Sequence, residues 1–240
     1  ALTIQGSGDI GSKIYLQWDT NAYFEKGIWG ASGAITASGK SNIVLDGFYN
    51  GVIESTNNGS VSLGFGNATY NNGVYFTGCQ DFEIKNLTIR NMYQREQSDD
   101  STTCCGSSFN AVNGIEIWGQ SSGLSVHNNT IHDGGAGVNI IYPASTVINT
   151  LNVFSNTIYH CSAGVQMGSA GNGGTVNDAS VYANTIYDGE KWLDPSDDFH
   201  AHLIMVWKEG TGNNINRLKI YGNHTYGDWD PGSHVTGHIF

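Results

Sequence analysis

Hydrophobic and polar residues alternate in short bursts along this chain, and the bursts recur. The segments LSVHNNTI (124–131), LNVFSNTI (151–158), ASVYANTI (179–186) and LKIYGNHT (218–225) align, with FEIKNLTI (82–89) as a degenerate upstream copy. Leu124 and Val126 alternate with Ser125 and His127, the period of a strand with one buried face, and each copy ends in a turn. A second short strand precedes each copy: GVYF at 73, GIEI at 114, GVNI at 137, GVQM at 164, HLIM at 202 and GHIF at 237. The intervals from Gly114 to Gly137 and from Gly137 to Gly164 are too short for a βαβ crossover with its helix, but they suit one turn of a solenoid. No amphipathic helix of useful length intervenes.

Asn129, Asn156, Asn184 and Asn223 then fall at one corner of successive coils. A buried side-chain amide there bonds the Asn above and below and satisfies the turn backbone. This combination of stacked Asn and LxVxxNxI coils resembles the right-handed parallel β-helix superfamily, the pectate-lyase-like folds, over roughly residues 33–240. The resemblance implies an all-β, right-handed parallel β-helix. Residues 1–240 form a single domain, with 1–32 as an irregular start or first coil, and the domain reads also as a fragment of a longer solenoid. The superfamily implies a secreted carbohydrate-active enzyme, a tailspike or an adhesin. Polygalacturonase-like members carry Asn-Thr-Asp, Asp-Asp, Gly-His-Gly and Arg-Ile-Lys signatures; here the first reads Asn-Thr-Ile, Asp197-Asp198 echoes the second, and the last two are absent. The lyase motifs vWxDH and RxPxxR are absent too.

In two coils the corner after Asn-Thr-Ile is minimal, HDGGA after Ile131 and YHCSA after Ile158, while segments 90–113, 187–201 and 226–236 are insertions at the same corner. Loops grafted at one edge of a rigid stack are where binding residues collect. The short corners present Asp133, His160 and Asp188 at equivalent positions of three coils. At about 4.8 Å per coil, the two carboxylates stand roughly 9–10 Å apart, near the upper limit for an inverting glycosidase, with His160 between them. Asp133, His160, Asp188, Asp197 and Asp198 are therefore the candidate catalytic residues, and Trp192, Trp229, Tyr182, Tyr221 and His200 the candidates for substrate contact. The outward row Lys85, His127, Phe154, Tyr182, Tyr221 reads either as a sugar-stacking face or as an aromatic stack that covers the sheet. In DPSDDFHAH the oxygens of Asp194, Asp197 and Asp198 suit Ca²⁺, while His200 and His202, on one side of an extended segment, suit a transition metal.

Charge narrows the partners. Lys and Arg number 10 against 21 Asp and Glu, a net −11 that repels phosphate backbones and polyuronates, so nucleic acid is excluded and a neutral or cation-bridged polysaccharide is preferred. No apolar run reaches the roughly 18 residues a membrane span needs. Few Lys, abundant Asn, Ser and Thr, and Cys79, Cys104, Cys105 and Cys161 without metal spacing suggest an extracellular or cell-surface protein. One or two disulfides are expected, with Cys79 or Cys161 as partners for the adjacent pair. Sequons occur at Asn58, Asn67, Asn86, Asn128 and Asn223, the last at an inward ladder position. Solenoid ends are strand edges, so end-to-end self-association into an extracellular filament is the rival to a glycan-active function, beside a noncatalytic glycan-binding tailspike or adhesin.

Overall fold

The structure is a computed structural model that describes residues 1–56, 71–92, 112–189, 202–227 and 237–239. Among these residues there are strands and no helix, and every ladder between named strands is parallel. The chain winds as a parallel β-helix, the all-β solenoid that the repeats predict.

Coil by coil, β1 (Leu2–Ile4), β2 (Ile14–Gln17) and β3 (Tyr23–Lys26) are followed by β4 (Ile35–Ser38) and the bent β5 (Ser41–Ser55). Next come β6 (Val74–Thr77), β7 (Gln80–Met92), β8 (Asn113–Trp118) and β9 (Leu124–His127). The long strands β10 (Thr130–Pro143) and β12 (Thr157–Ala170) turn a corner each, flanking β11 (Val147–Phe154). The last coils hold β13 (Thr175–Tyr182), β14 (Thr185–Tyr187), β15 (His202–Lys208), β16 (Asn214–Asn216), β17 (Lys219–Tyr221), β18 (His224–Tyr226) and β19 (Gly237–Ile239).

Three faces result. The front face stacks β1, β4, β6, β8, the second half of β10, the second half of β12, β15 and β19. The second runs through β2, β5, β7, β9, β11, β13 and β17. The third carries β3, the ends of β5 and β7, the starts of β10 and β12, β14 and β18. Alternate residues of all three point inward and form one core, including Ile115 and Ile117, Val138 and Ile140, Val153, and Ile131, Ile158 and Ile186. Burial of these side chains, at about 1.5–3 kcal/mol each, is the main driving force for winding the chain.

Two repeated residues fit each other across coils. A Cβ on Gly137 would lie 2.6 Å from Ile158 Cγ2, one on Gly164 2.5 Å from Ile186 Cγ2, and one on Gly73 2.6 Å from Ile89 Cγ2. The Gly that opens these front-face strands therefore leaves room for the Ile that ends a ladder copy in the next coil. The Asn ladder closes the opposite corner. Asn129 Nδ2 donates to Asn156 Oδ1 at 3.0 Å, Asn156 Nδ2 to Asn184 Oδ1 at 3.0 Å, and Asn184 Nδ2 to Asn223 Oδ1 at 2.9 Å. The sequon residue Asn223 is thus engaged in the ladder.

The disulfide expectation is corrected for two of its cysteines. Cys79 and Cys161 are free thiols buried in the core, and burial raises both above the ordinary thiol value. They fill inward positions of the wall and do not face outward toward a loop; Cys104 and Cys105 lie outside the described residues. The expectation of export then stands on composition alone.

Candidate functional site at the loop-bearing corner

The connections from β5 to β6, β7 to β8, β14 to β15 and β18 to β19 all leave the third face and enter the front face. The ends of β5 and β6 thus join the same two faces as the three insertions that the repeats reveal. The short connections keep their strands continuous through β10 and β12. There the backbone turns on left-handed residues, Asp133 at φ +58° and His160 at +49°, and Asp188, at +50°, takes the same conformation just after β14. Asp and His tolerate this region better than most residues, which accounts for their recurrence in part.

Their side chains do more than turn the chain. His132 Nδ1 lies 2.7 Å from Asp133 Oδ2, and His160 Nδ1, one coil on, lies 3.2 Å from Asp133 Oδ1. Burial pushes the Asp133 carboxyl up, but hydrogen bonds and charge from His132 and His160 outweigh it and hold it below the ordinary carboxylate range. An ionised carboxylate only accepts, so both rings donate from Nδ1. The arrangement is a carboxylate that orients two imidazoles, of which His160 is the more exposed, at 35% against 13% of the side chain. A positioned imidazole can take a proton from water or from a substrate and return it near neutrality. Asp188 holds the equivalent place two coils above Asp133, beside Gly227.

Below His132 in the same column, Arg90 pairs with Glu54 at 2.7 Å. Above it, Tyr159, Tyr187 and Tyr226 stack, with centroids 4.5 Å apart for His132–Tyr159 and 5.0 Å for both later pairs. This second aromatic column was readable, because each member directly follows a ladder copy, yet the sequence reading singled out only the first.

That first column is also present. His127–Phe154, Phe154–Tyr182 and Tyr182–Tyr221 stack at 4.6, 4.9 and 5.0 Å with planes within 8°. Both faces of Tyr182 are covered by its neighbours, so a ligand meets its edge and hydroxyl; Tyr221 is half exposed, at 53%. The column lies on the second face, away from the Asp133 corner. Trp192, Asp194, Asp197, Asp198, His200 and Trp229 lie outside the described residues. Among the described residues no group of three His, Cys, Asp or Glu side chains is placed to hold a metal ion.

On the other side of the corner stands a residue that the sequence reading passed over. Glu116, on β8, is 5% exposed, and its Oε2 accepts hydrogen bonds from Asn72 Nδ2 at 2.6 Å and Asn113 Nδ2 at 3.3 Å. Burial raises its carboxyl to about 7, with the Asn113 and Asn72 hydrogen bonds opposing the rise. Tyr75, its neighbour one coil below, is raised by burial and by the Glu116 charge.

No family model matches the chain, and no curated protein does. Among solved structures it is similar to the crystal structure of a GH136 lacto-N-biosidase from Eubacterium ramulus, a selenomethionine derivative. The identity is 11% and the TM-score 0.47, covering 98% of this chain and 49% of that one. The chain thus spans about half the length of that structure.

Proposed function

We propose that the protein binds and cleaves a neutral polysaccharide at the loop-bearing corner, with Asp133 and His160 as its proton-transfer pair. The observation that carries this reading is the contact of one ionised carboxylate with two imidazoles from adjacent coils. They stand where long connections enter on either side. In hydrolysis, His160 takes a proton from the attacking water as the glycosidic C–O bond breaks, Asp133 stabilises the imidazolium that forms, and the imidazolium gives its proton up to the departing sugar oxygen, through solvent, to complete the addition of water. The net charge of −11 disfavours a polyuronate and leaves a neutral chain unhindered.

A second reading, a noncatalytic glycan-binding protein, is favoured by the left-handed backbone at Asp133, His160 and Asp188, which by itself suits those residue types. Incubation with neutral and uronate polysaccharides, with and without Ca²⁺, separates the two. Reducing ends released from a neutral glycan by the wild type and lost in Asp133→Asn support the enzyme. Binding without product supports the second reading.

A further inference from the structure

The Asn ladder ends at Asn129, whose Oδ1 accepts from the main-chain N–H of Leu87 at 3.1 Å. Below that point the same corner is built differently. In β5, Asp46 pairs with Lys85 and Gly51 with Leu87, so Gly47 to Asn50 stand opposite Asn86 alone and bulge from the wall. Gly47 lies against the Asn86 carbonyl and Gly51 against the Trp18 side chain, too close for a Cβ on either, and the residues between them are turned outward. Phe48 and Tyr49 are 44% and 61% exposed, with ring centroids 3.9 Å apart. The Asp46 carboxylate fastens the bulge, accepting from the Phe48 N–H at 2.9 Å and from Asn86 Nδ2 at 2.8 Å.

Fold stability does not call for this arrangement. Phe48 sits at φ +52° and Asn50 at +71°. Asn is at home in left-handed backbone, but a bulky aromatic residue there is strained, and this one leaves much of its ring in water. Asn at position 48 would remove the strain and expose less apolar surface. The coil below widens at the same corner. The Asn21 N–H donates to the Tyr49 carbonyl at 3.3 Å, and a cavity of about 280 Å³ opens there, lined by Leu16, Trp18, Asp19, Tyr23 and Phe24 among others. Strain kept in place beside a cavity and exposed rings is the mark of a site that binds something.

We propose that this corner, with Phe48 and Tyr49 one coil above the cavity of Trp18 and Tyr23, binds one ring of a neutral saccharide. A pyranose has apolar C–H faces and a polar rim. The exposed aromatic rings offer surface to the faces, and the exposed carboxamides of Asn21 and Asn50 and the carboxylate of Asp19 offer partners to the rim. The cavity lies just under the roughly 300 Å³ at which ligand pockets begin, which suits a small ring. Asp19, Glu25 and Asp46 make this corner negative, while Lys85 is engaged with Glu83 at 2.8 Å and Lys26 lies over the Trp29 ring, so an anionic ligand is disfavoured. The choice of a saccharide rests on the glycan reading above, but the site uses neither Asp133 nor His160.

Titration calorimetry with short neutral oligosaccharides, and a uronate oligomer as the anionic control, tests the site. It is run on Asp133→Asn, which leaves the probes uncleaved, and on the same protein carrying Phe48→Asn or Tyr49→Ala. The expected result is binding of a neutral oligosaccharide only, weakened at least tenfold by either change. The melting temperature should be unchanged or higher with Phe48→Asn, because Asn tolerates the left-handed backbone. Failure of every neutral probe to bind would overturn the proposal, as would unaltered affinity in both variants. A lower melting temperature with Phe48→Asn would overturn it too, by showing that the ring holds the fold. So would a wild-type dimer in sedimentation that Phe48→Asn dissolves, since the rings would then join two copies of the chain. Binding that depends on Phe48 without turnover by the wild type would sink the enzymatic reading alone. Turnover lost in Asp133→Asn with binding indifferent to Phe48 and Tyr49 would sink this inference alone.

Discussion

Asn156 Oδ1 accepts two hydrogen bonds from one residue, the main-chain N–H of Asn129 at 3.1 Å and its side-chain amide at 3.0 Å. The same side chain donates from Nδ2 to the Val126 carbonyl at 3.0 Å, so one carboxamide satisfies the turn of the coil below and links it to its own. Replacement by Ala strands buried polar groups on both sides, at about 1–3 kcal/mol for each. Asn156→Ala should lose about 3 kcal/mol or more in urea denaturation. Asn149, which accepts from Asn177 at 2.9 Å on an exposed edge, supplies the contrast. Asn149→Ala should stay within about 0.5 kcal/mol of the wild type. Equal losses in the two variants would contradict a ladder that works through burial.

Gly137 supplies the second prediction. A methyl group there would press on Ile158 Cγ2 at 2.6 Å and on the Gly164 carbonyl oxygen at 2.7 Å. Backbone cannot yield as a side chain does, so Gly137→Ala should cost about 1–3 kcal/mol by overpacking. Adding Ile158→Ala should recover part of that loss, measured as coupling in a double-mutant cycle. Additive losses would mean that the Gly–Ile fit does not set the spacing of the coils.

Much of this fold was legible because its devices repeat. The ladder Asn and the inward aliphatics recur at fixed offsets, and a buried amide at a corner needs the same partner in every coil. The Gly at 73, 114, 137 and 164 was visible as a pattern but not as a cause, since its constraint is an Ile in the next coil. Glu116, Asn139 and Gln166 were not legible at all. In GIEI, GVNI and GVQM they read as ordinary outward polar positions, and only their burial in the folded chain sets them apart. The contact of His132 with Asp133 was hidden for a different reason. Neighbours in a regular strand point to opposite sides, and only the left-handed turn at Asp133 brings the two side chains together. Cys79 and Cys161 were misread because cysteine spacing does not distinguish a wall position from a loop.

Glu116 makes stability depend on pH in a direction opposite to that of most carboxylates. Its folded-state value of about 7 lies above the ordinary 4.5, so its contribution is complete below pH 4.5 and is lost as pH rises through 7. The folded protein then holds a proton that the unfolded chain has released, and stability falls by about 3 kcal/mol across that window. In Glu116→Gln the fall should vanish from melting curves between pH 5 and 8, leaving the variant the more stable protein at the alkaline end. An unchanged pH profile would show that Glu116 ionises in the fold as it does in water.

Asp133 has the opposite sign. Its folded-state value is depressed, so its contribution is present above the ordinary carboxylate value and is lost as pH falls through the lower folded one. Asp133→Asn should lose stability in the neutral region and match the wild type at the acid end, so the acid limb of the curve flattens; Asn tolerates the left-handed backbone at that position, so the loss reports the charge. A variant that loses stability equally at all pH values would show that the two histidine contacts do not act through charge.

The most direct test of the account is turnover of neutral polysaccharides by the wild type, Asp133→Asn and Asp178→Asn. Asp178 shares the left-handed backbone of Asp133 but pairs with Arg217 on an exposed edge. The account predicts release of reducing ends by the wild type and by Asp178→Asn, with a loss of roughly 10²–10⁴-fold in Asp133→Asn. Equal turnover by all three proteins would contradict it.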